Sequence, residues 1–90
     1  MAYKLLPGKA VDTRFGIRKS NRYQRIAEGM LTPPIKYGRL SLWPEHEIDV
    51  LISATIRGAS DDEIRGIVDR LTAERARCGV DDDRHSEVAA

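Results

Sequence analysis

The chain has 90 residues, of which 41% are hydrophobic, and it carries a formal net charge of +1 at pH 7. A chain of this length folds as one small domain with at most one extension, and its apolar content allows a modest core without metal or disulfide support. No apolar run approaches the roughly 18 residues that would cross a bilayer; the lone Cys78 excludes an intrachain disulfide and a thiolate cluster for zinc.

The charge is divided unevenly along the chain. Residues 1–42 hold nine Lys or Arg residues against two acidic residues, a balance of +7, whereas residues 43–90 hold six basic against twelve acidic residues, a balance of −6. This charge asymmetry indicates that the first half binds a polyanion and that the second half has a different function.

Residues 1–8 are predicted to form a loose arm. Charged and turn-forming residues interrupt it too often for a secretory signal, so a cytoplasmic protein is expected. A short helix follows over residues 9–15, and Gly16 ends it because glycine readily adopts the left-handed backbone of a helix end. A second helix is predicted over residues 17–28, and Gly29 ends it.

The second predicted helix concentrates basic side chains. Tyr23, Ile26 and Ala27 lie at helical spacing and predict an apolar face. The opposite face is predicted to carry Arg18, Asn21, Arg22 and Arg25. Arginine and asparagine can bond guanine and adenine edges in the major groove, and serine, tyrosine and lysine contact phosphates. The predicted DNA contacts of this helix are Arg18, Lys19, Ser20, Asn21, Arg22, Tyr23 and Arg25. The alternative is an ordinary solvated surface.

A β-hairpin is predicted after Pro33-Pro34, which cannot continue a helix. Residues 35–37 pair with residues 40–42 across Gly38-Arg39, because a glycine first in a two-residue loop suits a type II′ turn. The expected pairs are Ile35 with Leu42 and Tyr37 with Leu40 on the core side, and Lys36 with Ser41 on the outer side. The hairpin is interpreted as a basic wing that contacts DNA through Lys36, Arg39 and Ser41; the alternative is an ordinary solvent-facing hairpin.

Two more helices are predicted beyond Trp43, which is interpreted as a core residue rather than a base-stacking one. Pro44 suits the first position of the third helix, which Gly58 ends. Its expected apolar stripe is Ile48, Leu51, Ile52, Thr55 and Ile56. Ser60 and Glu63 fit a capping box for the fourth helix, which should run to residue 77 or 78 with Ile64, Ile67, Val68 and Leu71 on one side. This helix either packs back on the domain or offers that side to another subunit.

No catalytic or metal-binding pattern is found in the sequence. His46 and His85 stand among acidic residues, and neither has partners at the spacing of a metal site. Cys78 lacks a histidine partner that would activate it, and no glycine-rich phosphate loop is present. We therefore interpret the chain as a binding protein and not an enzyme, with no cofactor, metal or small-molecule substrate.

The segment GIRKSNRYQRIAEGMLTPPIKYGRLSLWPEHEID resembles the AlpA-like regulators of phages and genomic islands, part of the MerR-like winged-helix superfamily that includes many excisionases. The matching residues are Gly16, Ile17, Tyr23, Ile26, Glu28, Gly29, Pro33, Pro34, Lys36, Gly38, Trp43, Glu47, Ile48 and Asp49. Arg18 stands where that family usually has a helix-capping serine, Thr32 replaces a proline, and the wing is one residue shorter than usual.

The resemblance implies an excisionase, or recombination directionality factor. Such proteins bind beside the attachment site of an integrated element, bend the DNA and help a tyrosine integrase to excise the element, often as several copies side by side. The second helix would enter the major groove, and the wing would reach the neighbouring minor groove or its phosphates. The implied partners are double-stranded DNA, a tyrosine integrase and further copies of this chain, in the bacterial cytoplasm at the nucleoid.

The predicted fold is therefore mainly α with a small β-hairpin, a winged helix-turn-helix plus an extra C-terminal helix. Residues 1–58 would form the DNA-binding domain, residues 59–78 the C-terminal amphipathic helix and residues 79–90 a disordered acidic tail. Two other functions stay open: a transcriptional regulator of mobile-element genes with the same fold, and a protein-interaction module whose basic half binds an acidic partner.

Overall fold

The computed structural model describes residues 3–78. In this part of the chain four α-helices and a three-stranded antiparallel sheet form a mostly helical α+β fold. The elements are β1 (Leu5–Pro7), α1 (Gly8–Phe15), α2 (Lys19–Ala27), β2 (Ile35–Tyr37), β3 (Leu40–Pro44), α3 (Glu45–Ile56), α4 (Asp61–Glu74) and a final 3₁₀ turn (Arg75–Arg77). None of the helices in residues 3–78 has the length and apolar character needed to cross a membrane. The tail predicted at residues 79–90 lies outside the described residues.

Helices α1 and α2 form close to their predicted positions. Gly16 follows α1 in left-handed backbone with a φ of 72°. The N–H groups of Gly16 and Ile17 donate to the carbonyl oxygens of Thr13 and Asp12 at 3.2 and 3.0 Å. These bonds satisfy carbonyls at the end of α1, so the chain turns sharply into α2. Helix α2 begins at Lys19, two residues later than predicted.

Strand β1 corrects the prediction of a loose N-terminal arm. Leu5–Pro7 pairs antiparallel with β3, which places β3 in the centre of a sheet with the order β1-β3-β2. The N–H of Glu45 also donates to the carbonyl of Lys4 at 2.8 Å. A three-residue strand is too short to show an alternating pattern, and it forms because its backbone groups find partners on a distant strand.

The predicted hairpin register is confirmed, but the predicted faces are reversed. Ile35 pairs with Leu42, Lys36 with Ser41 and Tyr37 with Leu40. Successive strand residues point to opposite faces. Because Trp43 is buried, its neighbour Leu42 points away from the core. Tyr37 and Leu40 are 69% and 55% exposed. Leu5, Ile35, Tyr37, Leu40 and Leu42 share the side opposite Trp43, which we term the outer sheet face.

Trp43 lies at the centre of the core, as predicted. It is 1% exposed, pairs with Leu6 across the sheet, and donates its indole N–H to the carbonyl of Thr32 at 2.8 Å. That bond satisfies the one polar group of the indole inside an apolar environment. The buried apolar residues are Leu6, Val11, Leu31, Trp43, Ile48, Leu51, Ala54, Ile64, Val68 and Leu71.

Helices α3 and α4 both contribute to this core, so α4 packs back on the rest of the molecule. Its predicted capping box is present, since the Glu63 N–H donates to Ser60 Oγ at 3.2 Å and the Ser60 N–H donates to Glu63 Oε1 at 3.3 Å. The predicted burial of Ile56 is wrong. It is the last residue of α3 and is 82% exposed, whereas Ala54 is buried instead.

Candidate nucleic-acid interface

The turn between α1 and α2 sets the start of the predicted recognition helix. Arg18 precedes the first helical residue, and its side chain forms no capping bond because a guanidinium has no acceptor. Instead the N–H of Arg18 donates to Oδ1 of Asn21 at 3.2 Å. Asn21 therefore uses its acceptor on its own helix, while its two amide hydrogens stay available to a ligand.

One stripe of α2 faces solvent. Its members at spacings of three and four are Ser20, Tyr23, Gln24 and Ala27, with Lys19 beside them. Tyr23 is 56% exposed, and Lys19 Nζ lies 5.9 Å from the centre of its ring. Gln24, which was absent from the predicted contacts, donates to Glu28 Oε2 at 3.3 Å and has a side chain suited to adenine. Gln24 lies four residues after Ser20, on the same side of the helix, and this spacing could have identified it as a candidate contact.

Arg22 lies inside the molecule, and its predicted place on the exposed basic face is wrong. The residue is 7% exposed, and its Nε donates to Asp12 Oδ1 of α1 at 2.7 Å. Its guanidinium carbon also lies 5.2 Å from the ring centre of Trp43 and 5.1 Å from that of Tyr23. The ion pair and the ring faces compensate the buried charge, so the Arg22 guanidinium is not presented to a ligand at the surface.

The other basic residues of this region divide into those that form ion pairs and those that do not. Arg14 of α1 bonds Glu45 at 2.6 Å and Asp49 at 2.8 Å, and so ties α1 to α3. Arg25 is half-buried with its guanidinium carbon 5.9 Å from the Phe15 ring centre. Within residues 3–78, Arg18, Lys19 and Arg25 form no ion pair, so their charges are free to attract an anion.

The hairpin carries the second group of predicted contacts. Lys36 Nζ donates to Ser41 Oγ at 2.7 Å, so these two side chains lie together across the strands. Arg39 is exposed in the turn and makes no ion pair in the described part of the chain. Ser41 shares its sheet face with Trp43, whose ring contacts Arg22 of α2. The polar face of the hairpin and helix α2 therefore lie on the same side of the sheet.

Residues 3–78 contain no group of three or more His, Cys, Asp or Glu side chains that could hold a metal ion. The chemistry that the exposed residues offer is hydrogen bonding and charge attraction: hydroxyls on Ser20 and Tyr23, an amide on Gln24, and cations around them. Comparison of the chain with protein-family models, curated proteins and solved structures gives no match.

Proposed function

We propose that this protein is a sequence-specific DNA-binding protein of the winged helix-turn-helix type, with α2 as its recognition helix and the β2–β3 hairpin as its wing. The order of elements supports this proposal, because a sharp turn at Gly16 joins two short helices and the hairpin follows the second one. A helix of this kind places its exposed side chains in the major groove while the first helix crosses the backbone.

The observation that carries the proposal is the exposed stripe of α2. Ser20, Tyr23 and Gln24 project from one side of a helix that Arg22 holds to α1 and to the sheet from the other side. Glutamine reads adenine through two hydrogen bonds, and hydroxyls bond phosphates or base edges. A rigid helix with such residues on one side offers both base contacts and register-setting phosphate contacts.

Electrostatics support the same partner. Five cations of α2, its turn and the hairpin carry no ion pair within residues 3–78: Arg18, Lys19, Arg25, Lys36 and Arg39. Each phosphate contact releases condensed counterions. If all five cations contact phosphates, raising the salt concentration from 50 to 200 mM should lower the affinity for DNA about 500-fold. Little dependence on salt would instead favour a protein-interaction module whose basic half binds an acidic partner.

The finer role that we propose is excisionase. The protein would bind beside the attachment site of an integrated element, bend the DNA and promote excision by a tyrosine integrase. This role rests on the resemblance of residues 16–49 to the AlpA-like regulators, and on a wing that can reach a neighbouring groove. The chain would act through binding and DNA shape rather than through bond cleavage.

The test of DNA binding is a gel-shift titration with the full chain at several salt concentrations. Lys19→Ala should weaken binding and reduce the slope of log affinity against log salt by about 0.9. Arg70→Ala is the matched control, because Arg70 is an exposed arginine on α4 whose one ion-pair partner within residues 3–78 is Glu74, at 3.6 Å. Equal affinities of both variants and the parent chain would contradict the proposed interface.

The test of the excisionase role is an excision assay with a tyrosine integrase and its integrated element, with and without the protein. Excision that depends on the protein, together with DNA bending measured by energy transfer between labelled ends, supports the role. Promoter control without bending or excision would identify a transcriptional regulator instead, while DNA binding itself would still stand.

A further inference from the structure

An apolar cleft opens on the outer sheet face beside the end of α4. Its volume is about 780 Å³, which falls within the range of about 300–1,000 Å³ that is usual for sites of small organic ligands. Leu5 forms part of its wall and is 43% exposed, although Leu6, the next residue of the strand, is buried in the core. The aliphatic residues that line the cleft are Leu5, Ile35, Pro44 and Leu71. The cleft can therefore cover the apolar part of a bound molecule.

The charged side chains of this cleft leave an excess of positive charge. Lys4 and Arg77 line it and are exposed, and neither forms an ion pair within residues 3–78. Glu74 also lines the cleft, but it pairs at 3.6 Å with Arg70, an arginine that lies outside the lining. An anion in the cleft would therefore meet two cations whose charge no carboxylate of the described residues compensates.

Arg75 adds a hydrogen-bond donor of fixed orientation to the cleft lining. Its Nε and Nη2 donate to the two oxygens of the Glu47 carboxylate at 2.8 and 2.7 Å. Its third nitrogen, Nη1, has no hydrogen-bond partner within residues 3–78. The Arg75 side chain is 21% exposed and lines the cleft, so a ligand there can accept from Nη1. Because the pair with Glu47 already holds the guanidinium in place, binding to it costs little further side-chain entropy.

The apolar lining and the unpaired cations together define the class of ligand. An uncharged hydrocarbon would leave the cations unused, and a small inorganic anion would leave the apolar wall exposed to water. A carboxylate attached to an aliphatic chain matches both, because guanidinium groups bind carboxylates through short, charge-assisted hydrogen bonds. The size of the site favours a small molecule over a protein. Twelve residues line the cleft, whereas a stable protein interface uses roughly 20–30 on each side.

We propose that this cleft binds a small aliphatic carboxylate, of the class of medium-chain fatty acids. The chain of the ligand would lie against Leu5, Ile35 and Leu71, and its carboxylate would accept hydrogen bonds from Arg75 and Arg77. The cleft belongs to the outer sheet face, whereas α2 lies on the opposite side of the sheet with Trp43. Ligand binding uses none of the proposed DNA contacts, so it stands whether or not the proposed function does.

The first test titrates the full chain with octanoate, octanol and acetate, and follows the backbone amide signals by nuclear magnetic resonance. Octanoate should bind with a dissociation constant of about 1 mM or lower. Octanol lacks the charge and acetate lacks the chain, so each should bind about tenfold more weakly or worse. Absence of saturable octanoate binding, or equal affinities for octanoate and either of the other two compounds, would overturn the proposal.

Matched variants test the two parts of the site. Leu5→Asp removes apolar lining and Arg77→Glu reverses a charge, so each should raise the dissociation constant for octanoate about tenfold or more. Leu40→Asp is the control for the first, because Leu40 is exposed on the same sheet face but does not line the cleft. Arg57→Glu is the control for the second, because Arg57 is exposed after α3, whose 12 residues put it about 18 Å from the start of that helix at the cleft. Parent-like affinity of both cleft variants, with circular dichroism showing that all four are folded, would overturn the proposal.

The position of the signal changes and the mass of the protein exclude other sites and other occupants. Octanoate should shift the amide signals of Leu5, Ile35 and Leu71 and leave those of Ser20 and Tyr23 on α2 nearly unchanged. Changes confined to α2 would show an anion bound at the basic helix and overturn the cleft site. Sedimentation with and without octanoate should give the same mass. A dimer that octanoate dissociates would assign the cleft to a second copy and also overturn the proposal.

Discussion

Arg22 is a charged residue at a buried position, and buried positions usually hold apolar side chains. Asp12 neutralises it from α1, and the ring of Trp43 lies against its guanidinium. Gly8 completes the site, because a Cβ at that position would collide with the guanidinium. Removing a charge from water is unfavourable unless the charge is paired and bonded. These three neighbours explain how α2 turns an arginine inward and leaves its polar stripe outside.

Arg22→Ala is expected to lower the free energy of unfolding by about 3 kcal/mol or more, because Asp12 would keep a largely buried charge without a partner. The double variant Asp12→Ala with Arg22→Met removes both charges and should recover much of that loss. Urea unfolding followed by Trp43 fluorescence measures both. Unchanged stability of Arg22→Ala together with loss of preference at one base pair would show that Arg22 reads DNA.

Gln24 is the residue on the exposed stripe best suited to read a base. Gln24→Ala should reduce discrimination at a single position of the binding site by about 1–3 kcal/mol and leave the salt dependence unchanged, because it removes hydrogen bonds and no charge. Binding to a set of sites with one base pair changed at a time measures this. A uniform loss over all sites, or none, would place Gln24 outside the base contacts.

The β2–β3 hairpin is polar on one face and apolar on the other. Lys36 and Ser41 bond across its inner face, on the side where α2 lies, and Tyr37 with Leu40 are exposed on the outer face. Such an element can contact DNA with its inner face and turn while its outer face stays free. Leu5 and Ile35 of the outer sheet face also line an apolar cleft beside the end of α4.

Arg39→Ala tests the hairpin as a wing. Because Arg39 is exposed and makes no contact with a carboxylate in the described residues, its removal should leave the free energy of unfolding unchanged within about 0.5 kcal/mol. Affinity should fall to a similar extent for specific and unrelated DNA, and the salt slope should decrease by about 0.9. Parallel gel shifts on both kinds of DNA give these values. Parent-like affinity on both would exclude Arg39 from the interface.

At the scale of the whole molecule, some structural features can be predicted from neighbouring residues and others depend on residues far away in the chain. The hairpin register follows from Gly38-Arg39 and alternating residues, and the α4 capping box follows from Ser60 and Glu63, because both depend on neighbours within a few positions. Strand β1 was missed because its stability comes from pairing with β3, almost 40 residues away. The reversed hairpin faces have the same cause, since β1 and Trp43 together decide which side of the sheet is covered.

The residues of the candidate site also divide into those whose position local sequence predicts and those whose position depends on distant contacts. Lys19, Ser20 and Asn21 are exposed on α2 as predicted, because polar and charged side chains on a surface helix need no partner. The predicted apolar face is wrong in part, since Tyr23 and Ala27 are exposed and only Ile26 is half-buried. Arg22 was predicted on the exposed face because helical spacing puts it opposite Tyr23, Ile26 and Ala27. Its true position depends on Asp12 in another helix and on Trp43 in a strand, and neither contact is visible in the spacing of residues along α2.

The Glu47–Arg75 ion pair connects the two parts of the chain on either side of the domain boundary that was predicted at residue 58. Glu47 is fully buried at 0% exposure and takes two bonds from Arg75, the first residue after α4. Residues of α4 also share one core with Trp43 and α3. We therefore expect the described residues to unfold as one cooperative unit, with Trp43 fluorescence and helical circular dichroism changing at the same urea concentration.

Arg75→Ala should lower the free energy of unfolding by about 3–5 kcal/mol, because it leaves the Glu47 carboxylate buried and uncompensated. The midpoint should fall for both signals together, since loss of the pair weakens the whole core and not α4 alone. Arg70→Ala, which removes an exposed arginine of the same helix, should change stability by less than about 0.5 kcal/mol. If the circular dichroism of Arg75→Ala fell at a lower urea concentration than the fluorescence change, α4 would be a separate unit attached to an independently stable domain.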